Sequence, residues 1–118
     1  ALSPLAAPYG STDINLIVQG MRTEEARVRV LDGTFTPGLD QRAGLFFQSQ
    51  GMSVTEVGAA DGAYSSTIIV VYGPKLYTLK YLQSVYGISH TQIRFSPDPN
   101  STVDIEIRIG SDIAGSIP

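Results

Sequence analysis

The sequence predicts an α+β domain with a ferredoxin-like βαββαβ fold, in which a mainly antiparallel sheet carries two helices on one face. The first observation behind this expectation is the order of segments along the chain, which is strand, helix, strand, strand, helix, strand. The second is size, because 118 residues with 42% hydrophobic content suit one small domain with one core. Right-handed crossovers would place both helices on the same side of the sheet.

Residues 1–24 are interpreted as a linker that contains one extra strand. Prolines, a glycine and small residues without a period occupy the start of this segment, which is typical of a linker. The apolar run at residues 14–18 favours a short strand outside the main fold. We expect the folded domain to span residues 25–113, followed by a tail at residues 114–118.

The predicted domain opens with a strand and a glycine turn. Val28 and Val30 alternate with arginines, as expected for a strand with one buried face. The turn that follows consists of Asp32, Gly33 and Thr34. After the first helix, residues 53–57 are expected to form the second strand.

The first helix is expected over residues 37–50. Thr36 can serve as its N-cap, and Pro37 suits the first helical position because its missing N–H is not needed there. Gly51 suits the left-handed residue that follows a helix. Helical spacing places one apolar stripe on the inner face, formed by Leu39, Ala43, Phe46 and Phe47.

The second half of the predicted domain repeats this pattern. Residues 68–71 are apolar on both faces, which indicates a central strand. A second helix follows Pro74 and ends at Gly87. Its expected inner face consists of Leu76, Leu79, Leu82 and Tyr86. Two prolines make residues 96–100 a loop, and residues 103–109 alternate aliphatic with charged side chains, as a strand with one solvated face does.

Charge alternation predicts how the first and last strands pair. We expect the last strand to lie antiparallel beside the first. The arginines of one strand would then face the carboxylates of the other, namely Arg27 and Arg29 against Asp104 and Glu106. Both carboxylates are interpreted as part of a solvated sheet face.

A series of short motifs follows a fixed order along the chain. They are Val28 and Val30, then Asp32-Gly33-Thr34, Gly38, Ala43, Phe47 and Gly51-Met52-Ser53-Val54, followed by the strand at residues 67–72 and a closing strand that ends in Gly110-Ser111-Asp112. In this order and spacing the chain resembles the LytR C-terminal domain over about residues 26–113. Asp32 replaces the usual Asn of that family and Met52 the usual aromatic residue.

The resemblance implies a non-catalytic accessory domain of an extracytoplasmic cell-envelope protein that is membrane-anchored or exported. In LytR-CpsA-Psr proteins, this domain follows a catalytic domain that transfers undecaprenyl-phosphate-linked glycopolymers to peptidoglycan. The arginine and aspartate residues of that catalytic domain are absent from this chain, so transferase activity is not expected. The resemblance implies recognition or positioning of wall glycopolymer, peptidoglycan or a partner protein. The alternative is a structural module that forms homodimers through sheet edges or its N-terminal strand.

Composition argues against several other functions. A net charge of −3 provides no basic field for nucleic acid, and no segment approaches the roughly 20 apolar residues of a membrane span. The chain has no cysteine, and its one histidine, His90, is expected in a surface loop. Asp104, Glu106 and Asp112 lack a nearby histidine and fall short of a metal site. We therefore expect no catalytic residue, metal or cofactor, and a small hydrolase is the least favoured alternative.

One surface of the second helix is a hypothesis for polymer binding. Tyr77, Lys80 and Tyr81 fall on the side of the helical wheel away from the leucine stripe. Exposed tyrosines with a lysine could stack on sugars and pair with phosphate of a wall polymer. The alternative is ordinary amphipathic cover, in which the tyrosine rings lie flat on neighbouring side chains.

Overall fold

The computed structural model describes residues 13–118, which form a five-stranded mixed sheet with its main helices packed on one face. The helices are α1 (Ile14–Glu24), α2 (Leu39–Ser49), α3 (Leu76–Tyr86) and α4 (Ser111–Ala114), and a 3₁₀ turn covers His90–Gln92. The strands are β1 (Arg27–Asp32), β2 (Ser53–Ala59), β3 (Ile68–Val71), β4 (Ile93–Phe95) and β5 (Ile105–Ile109). The prediction of a mixed α+β fold is confirmed.

The strand order is β2-β1-β5-β3-β4, so the last strand of the sequence lies in the middle of the sheet. β1 is parallel to both β2 and β5, and β3 is parallel to β4 and antiparallel to β5. The prediction of a mainly antiparallel, ferredoxin-like sheet is therefore wrong. It fails because β4 is a three-residue strand with no clear sequence signal. With β4 present, α3 joins two neighbouring parallel strands, as α2 joins β1 and β2.

The first and last strands are neighbours, as the charge alternation predicts, but they run parallel rather than antiparallel. Arg29 lies opposite Glu106 in the register of β1 and β5. Both predicted ion pairs form, with nitrogen-to-oxygen distances of 3.1 Å for Arg27–Asp104 and 2.6 Å for Arg29–Glu106. Matching alternation thus gives the correct partners, while it contains no information on strand direction.

Residues 14–24 form the helix α1, so the expectation of a strand at residues 14–18 is wrong. The Asp13 carboxylate accepts a hydrogen bond from the Asn15 backbone N–H at 2.9 Å and caps this helix. Ile17 and Met21, four residues apart, are fully buried in the core, where α1 packs against α3. The expected linker spans residues 1–24, and its first part, residues 1–12, lies outside the described part of the chain.

The hydrophobic core lies between the helices and the sheet. Phe47 of α2 is completely buried, and its ring meets that of Tyr86 edge-on at a centroid distance of 5.8 Å. Ile117 also belongs to this core, although it follows α4 in the segment expected to be a tail. α2 begins at Leu39 after Gly38, which has a left-handed φ of 77°, so Thr36 is not its N-cap.

Candidate functional site

The three residues of the sequence hypothesis, Tyr77, Lys80 and Tyr81, do not form an exposed patch on α3. Tyr81 is only 8% exposed and belongs to the hydrophobic core, and its burial raises the pKa of its hydroxyl. The half-buried ring of Tyr77 contacts α1 at Gly20. The expectation that both tyrosines lie outside the core is wrong because α1, absent from the predicted fold, covers this side of α3. Any role of the three residues in polymer binding stays a prediction.

The side of the sheet opposite α1, α2 and α3 is polar, and we call it the open face. Residues that are register partners on neighbouring strands point to the same side, which identifies its members. They are Arg27, Arg29 and Leu31 of β1, Glu56 of β2, Ile68 and Val70 of β3, Arg94 of β4, and Glu106 and Arg108 of β5. Half of the protein's eight basic residues therefore lie on this face.

Glu106 is the centre of a charge network on the open face. Its carboxylate accepts hydrogen bonds from Arg29 and from Arg108, each at 2.6 Å, and the residue is only 3% exposed. The expectation that Glu106 is solvated is therefore wrong, because the two guanidinium groups cover it. Glu56 accepts from Thr102 at 2.7 Å and from Arg29 at 3.2 Å, and these contacts lower its pKa.

A pocket of about 380 Å³ opens at the β4 side of this face, and we call it the arginine pocket. Its lining consists of Ala63, Tyr64, Ser65, Ser66, Ile68, Arg94 and Arg108. Arg94 donates from Nη1 to the carbonyl oxygens of Thr91 at 2.6 Å and Ile93 at 3.2 Å. Among the described residues, no carboxylate forms an ion pair with Arg94.

Arg108 forms the second basic wall of the arginine pocket. Its Nε is bonded to Glu106, and its Nη1 donates to the Tyr64 hydroxyl at 3.3 Å. Burial acts to lower the pKa of Arg108, but the hydrogen bond and charge of Glu106 outweigh it, so the pKa is raised. The Tyr64 hydroxyl in turn donates to the Asp61 carboxylate at 2.5 Å, which lowers the pKa of Asp61. Arg108 is therefore a fixed, charged group.

The closing motif Gly110-Ser111-Asp112 holds the serine wall of the pocket in place. Asp112 accepts hydrogen bonds from the Thr67 backbone N–H at 3.0 Å and the Thr67 hydroxyl at 2.7 Å. A Cβ at Gly110 would lie 2.6 Å from the backbone carbon of Ser66, so only glycine permits this approach. The motif thus positions Ser65 and Ser66 at the pocket.

The turn motif after β1 is held by its aspartate. The Asp32 carboxylate accepts hydrogen bonds from the backbone N–H groups of Thr34 at 2.7 Å and Thr36 at 2.9 Å. Gly33 approaches the Ile109 carbonyl oxygen so closely that a Cβ would lie 2.5 Å from it. These contacts give Asp32 and Gly33 a structural role in the turn. The same loop presents Phe35, which is 72% exposed and has a left-handed φ of 56°.

A second concave surface lies beside the edge strand β2, and we call it the β2 groove. It has a volume of about 320 Å³ and is lined partly by Gly44, Leu45, Val54 and Val57. A Cβ at Gly44 would lie 2.8 Å from a methyl group of Val57, so the glycine allows α2 to approach β2 closely. Leu45 is 69% exposed, which leaves apolar surface next to an edge strand.

The arrangement supports binding chemistry. His90 is exposed in the 3₁₀ turn, as expected from the sequence. Over residues 13–118, no three His, Cys, Asp or Glu side chains group closely enough to hold a metal ion. The same part of the chain contains no helix with the length and apolar character needed to cross a membrane. The arginine pocket offers guanidinium and hydroxyl donors, which suit an anionic or heavily hydroxylated ligand.

Sequence patterns did not indicate the pocket residues Arg94, Ser65 and Ser66. Arg94 stands between two apolar residues in a strand of three residues, which is too short for a recognisable alternation. The two serines lie in a segment without regular structure. Their only sequence signal is the distant Gly110-x-Asp112 motif, whose contacts with Ser66 and Thr67 appear in the folded chain alone.

Comparison with known proteins identifies the family. Neither a curated protein nor a solved structure matches the chain. The sequence profile of the LytR_C family, described as LytR cell envelope-related transcriptional attenuator, matches residues 25–112. The match includes the Asp32 turn, all five strands and the Gly110-x-Asp112 motif. Because it spans most of the 118 residues, the chain belongs to the LytR_C family of cell-envelope-related domains.

Proposed function

We propose that this chain is a non-catalytic accessory domain of an extracytoplasmic cell-envelope protein, and that it recognises wall polymer through the open face of its sheet. Membership of the LytR_C family supports the envelope role. The observation that carries the recognition role is the arginine pocket, which presents two fixed guanidinium groups on the face opposite the main helices. No step of catalysis is part of this proposal.

The net charge of the chain makes short-range contacts decisive. At −3, the protein as a whole repels an anionic wall polymer at long range. At physiological salt this repulsion is screened within about 8 Å, whereas direct hydrogen bonds from arginine are affected much less. Binding would therefore depend on local donors of the open face such as Arg94 and Arg108.

Site-specific blocking tests the proposal, because the chain has no cysteine and one can be introduced cleanly. Ser65→Cys, labelled with a polyethylene glycol maleimide, covers the open face at the arginine pocket. Ser84→Cys, labelled in the same way, is the matched control on the exposed side of α3. We expect unlabelled protein and the Ser84 conjugate to co-sediment with purified sacculi and the Ser65 conjugate to remain in solution. Equal sedimentation of both conjugates contradicts recognition by the open face.

The second candidate function is homodimerisation, and the β2 groove favours it. β2 is an edge strand of the described sheet, and Leu45 and Val57 leave apolar surface beside it. An edge of this kind can pair with a second strand and bury its apolar neighbours. Light scattering tests this function, and homodimerisation predicts that the wild-type protein has the mass of a dimer. The mass should fall to the monomer value when Gln41→Cys, in the groove wall, carries the same polymer label. A monomer at all concentrations rejects it.

A further inference from the structure

We propose that the arginine pocket binds a phosphate group of an anionic wall polymer. This inference rests on the proposed function and adds to it the chemistry of the ligand. Three features of the pocket carry it: the charge of its lining, its unused hydrogen-bond donors, and the contacts that fix those donors before a ligand arrives.

The lining of the pocket is basic without internal compensation. It contains Arg94 and Arg108 and, among the described residues, no carboxylate. Arg108 shares the Glu106 carboxylate with Arg29, whereas Arg94 is bonded only to backbone carbonyl oxygens. Asp61 also lies outside the lining, and its carboxylate accepts a hydrogen bond from the Tyr64 hydroxyl. An anion in the pocket would therefore meet a guanidinium group that has no counter-ion of its own.

Donors remain for a ligand on three parts of the chain that line the pocket. In the described part of the chain, Nε and Nη2 of Arg94 and Nη2 of Arg108 have no hydrogen-bond partner, and the Ser65 and Ser66 hydroxyls likewise have none. Arg94 and Arg108 lie on β4 and β5, on either side of β3, and the serines lie before β3. A planar carboxylate can be bound by the two parallel N–H donors of one guanidinium group. A tetrahedral phosphate has oxygens in several directions, so it matches donors that come from several residues better.

The donors are held in position by the protein itself. Glu106 and Tyr64 fix Arg108, and the carbonyl oxygens of Thr91 and Ile93 fix Arg94. The backbone of the serine wall is held through Thr67, which bonds to Asp112. Few side chains therefore lose conformational entropy when a ligand binds, which favours affinity. A volume of about 380 Å³ accommodates one phosphate with the sugar or alcohol on either side of it.

The test is a titration of ¹⁵N-labelled protein with two defined probes, followed by NMR. The first probe is a synthetic glycerol phosphate hexamer, and the second is a muramyl pentapeptide, which carries carboxylates and no phosphate. We expect the hexamer to shift the amide signals of Ser65, Ser66 and Arg94, while the muramyl peptide leaves them in place. Arg94→Ala should weaken hexamer binding about tenfold or more, since it removes the unpaired guanidinium group.

Matched variants separate the pocket from general charge effects. Arg42→Ala removes the same charge from an exposed position on α2 and should leave the dissociation constant unchanged. Asp61→Asn removes the negative charge that accepts a hydrogen bond from Tyr64 of the pocket wall, and it should tighten hexamer binding. A thermal unfolding curve of Arg94→Ala confirms that the variant is folded. Equal weakening by Arg94→Ala and Arg42→Ala, or equal affinity for both probes, overturns the phosphate assignment.

Hydrofluoric acid removes phosphate-linked polymers from sacculi. Comparing treated with untreated sacculi therefore distinguishes a failure of this inference from a failure of the proposed function. If the phosphate assignment holds, wild-type protein sediments with untreated sacculi and much less with stripped ones. If wild-type protein sediments equally with untreated and stripped sacculi, and the Ser65 conjugate sediments with neither preparation, the open face recognises peptidoglycan. That result overturns the phosphate assignment. If wild-type protein sediments with neither preparation, the proposed function fails as well.

Discussion

Glu106 lies directly opposite Arg29 in the register of two parallel strands, and their side chains are joined by a hydrogen bond of 2.6 Å. The same carboxylate accepts an equally short bond from Arg108, and it is almost fully removed from solvent. Burying a carboxylate between two guanidinium groups costs desolvation free energy. Removing one member of such a buried group costs more, because it leaves the remaining charge without its partner. The open face is therefore stabilised by a three-residue unit whose parts depend on one another.

We expect Glu106→Gln to lower the free energy of unfolding by about 2 to 3 kcal/mol, because two partly buried guanidinium groups lose their shared counter-ion. Urea denaturation measures this loss. Glu56→Gln is the matched control, since it removes the exposed carboxylate bound to the same Arg29 and should cost clearly less. Equal losses in the two variants would show that the burial of Glu106 is energetically unimportant.

Acid should weaken the pairing of β1 with the segment before β5. The hydrogen bonds and charge of Arg27 lower the pKa of Asp104 below its ordinary value of 3.8. A lowered pKa adds stability that is complete above the ordinary value and is lost as the pH falls through the folded-state pKa. Asp104→Asn should therefore be less stable at neutral pH and should lose less stability as the pH falls below 3.8. Urea unfolding at a series of pH values tests this, and parallel curves for both proteins would contradict it.

Glu24 of α1 should stabilise α3 from outside that helix. Its carboxylate accepts hydrogen bonds from the Thr78 backbone N–H at 2.6 Å and the Thr78 hydroxyl at 2.7 Å, while Lys75 at the N-cap position supplies no side-chain cap. Glu24→Ala should cost about 1 to 3 kcal/mol, because buried donors lose their partner. The neighbouring exposed Glu25→Ala serves as control in thermal and urea unfolding. A loss no larger than that of Glu25→Ala would mean that water replaces the cap.

Phe47→Ala should lower the free energy of unfolding by about 3 to 5 kcal/mol, because a fully buried ring leaves a cavity against Tyr86. Leu45→Ala on the same helix is the control, since its side chain is largely exposed and its loss should change stability by less than about 1 kcal/mol. Both values follow from urea denaturation. A Phe47→Ala loss below about 1 kcal/mol would contradict the assigned face of α2.

The sequence predicted those parts of the fold that depend on local pattern. Apolar spacing predicted α2 and the burial of Phe47, and charge alternation predicted the partners of Arg27 and Arg29. Strand direction was not predictable from alternation, because a parallel and an antiparallel neighbour present the same two faces. α1 was missed although Ile14, Ile17, Val18 and Met21 have helical spacing, because its first five residues also fit a short strand.

The candidate site was much less predictable than the fold. The helical wheel of α3 places Tyr81 opposite the leucines, but the neighbouring α1 buries that side. The arginine pocket combines residues of β4, β5 and the segment before β3, which become neighbours only because β5 lies between β1 and β3. Such a site depends on topology, and topology was the part of the fold that the pattern of segments left undetermined.

The central position of β5 has a consequence for how the chain folds. β5 is the last of the five described strands along the chain, and its bonds to β1 join residues 77 positions apart, such as Arg29 and Glu106. Until residues 105–109 are available, β1 and β3 each have an unpaired inner edge, so the sheet cannot be completed progressively from the N-terminus. Folding should therefore be slow for a chain of this length and should join both halves of the sheet in one late step. Hydrogen exchange should then protect β1 and β3 on the same timescale.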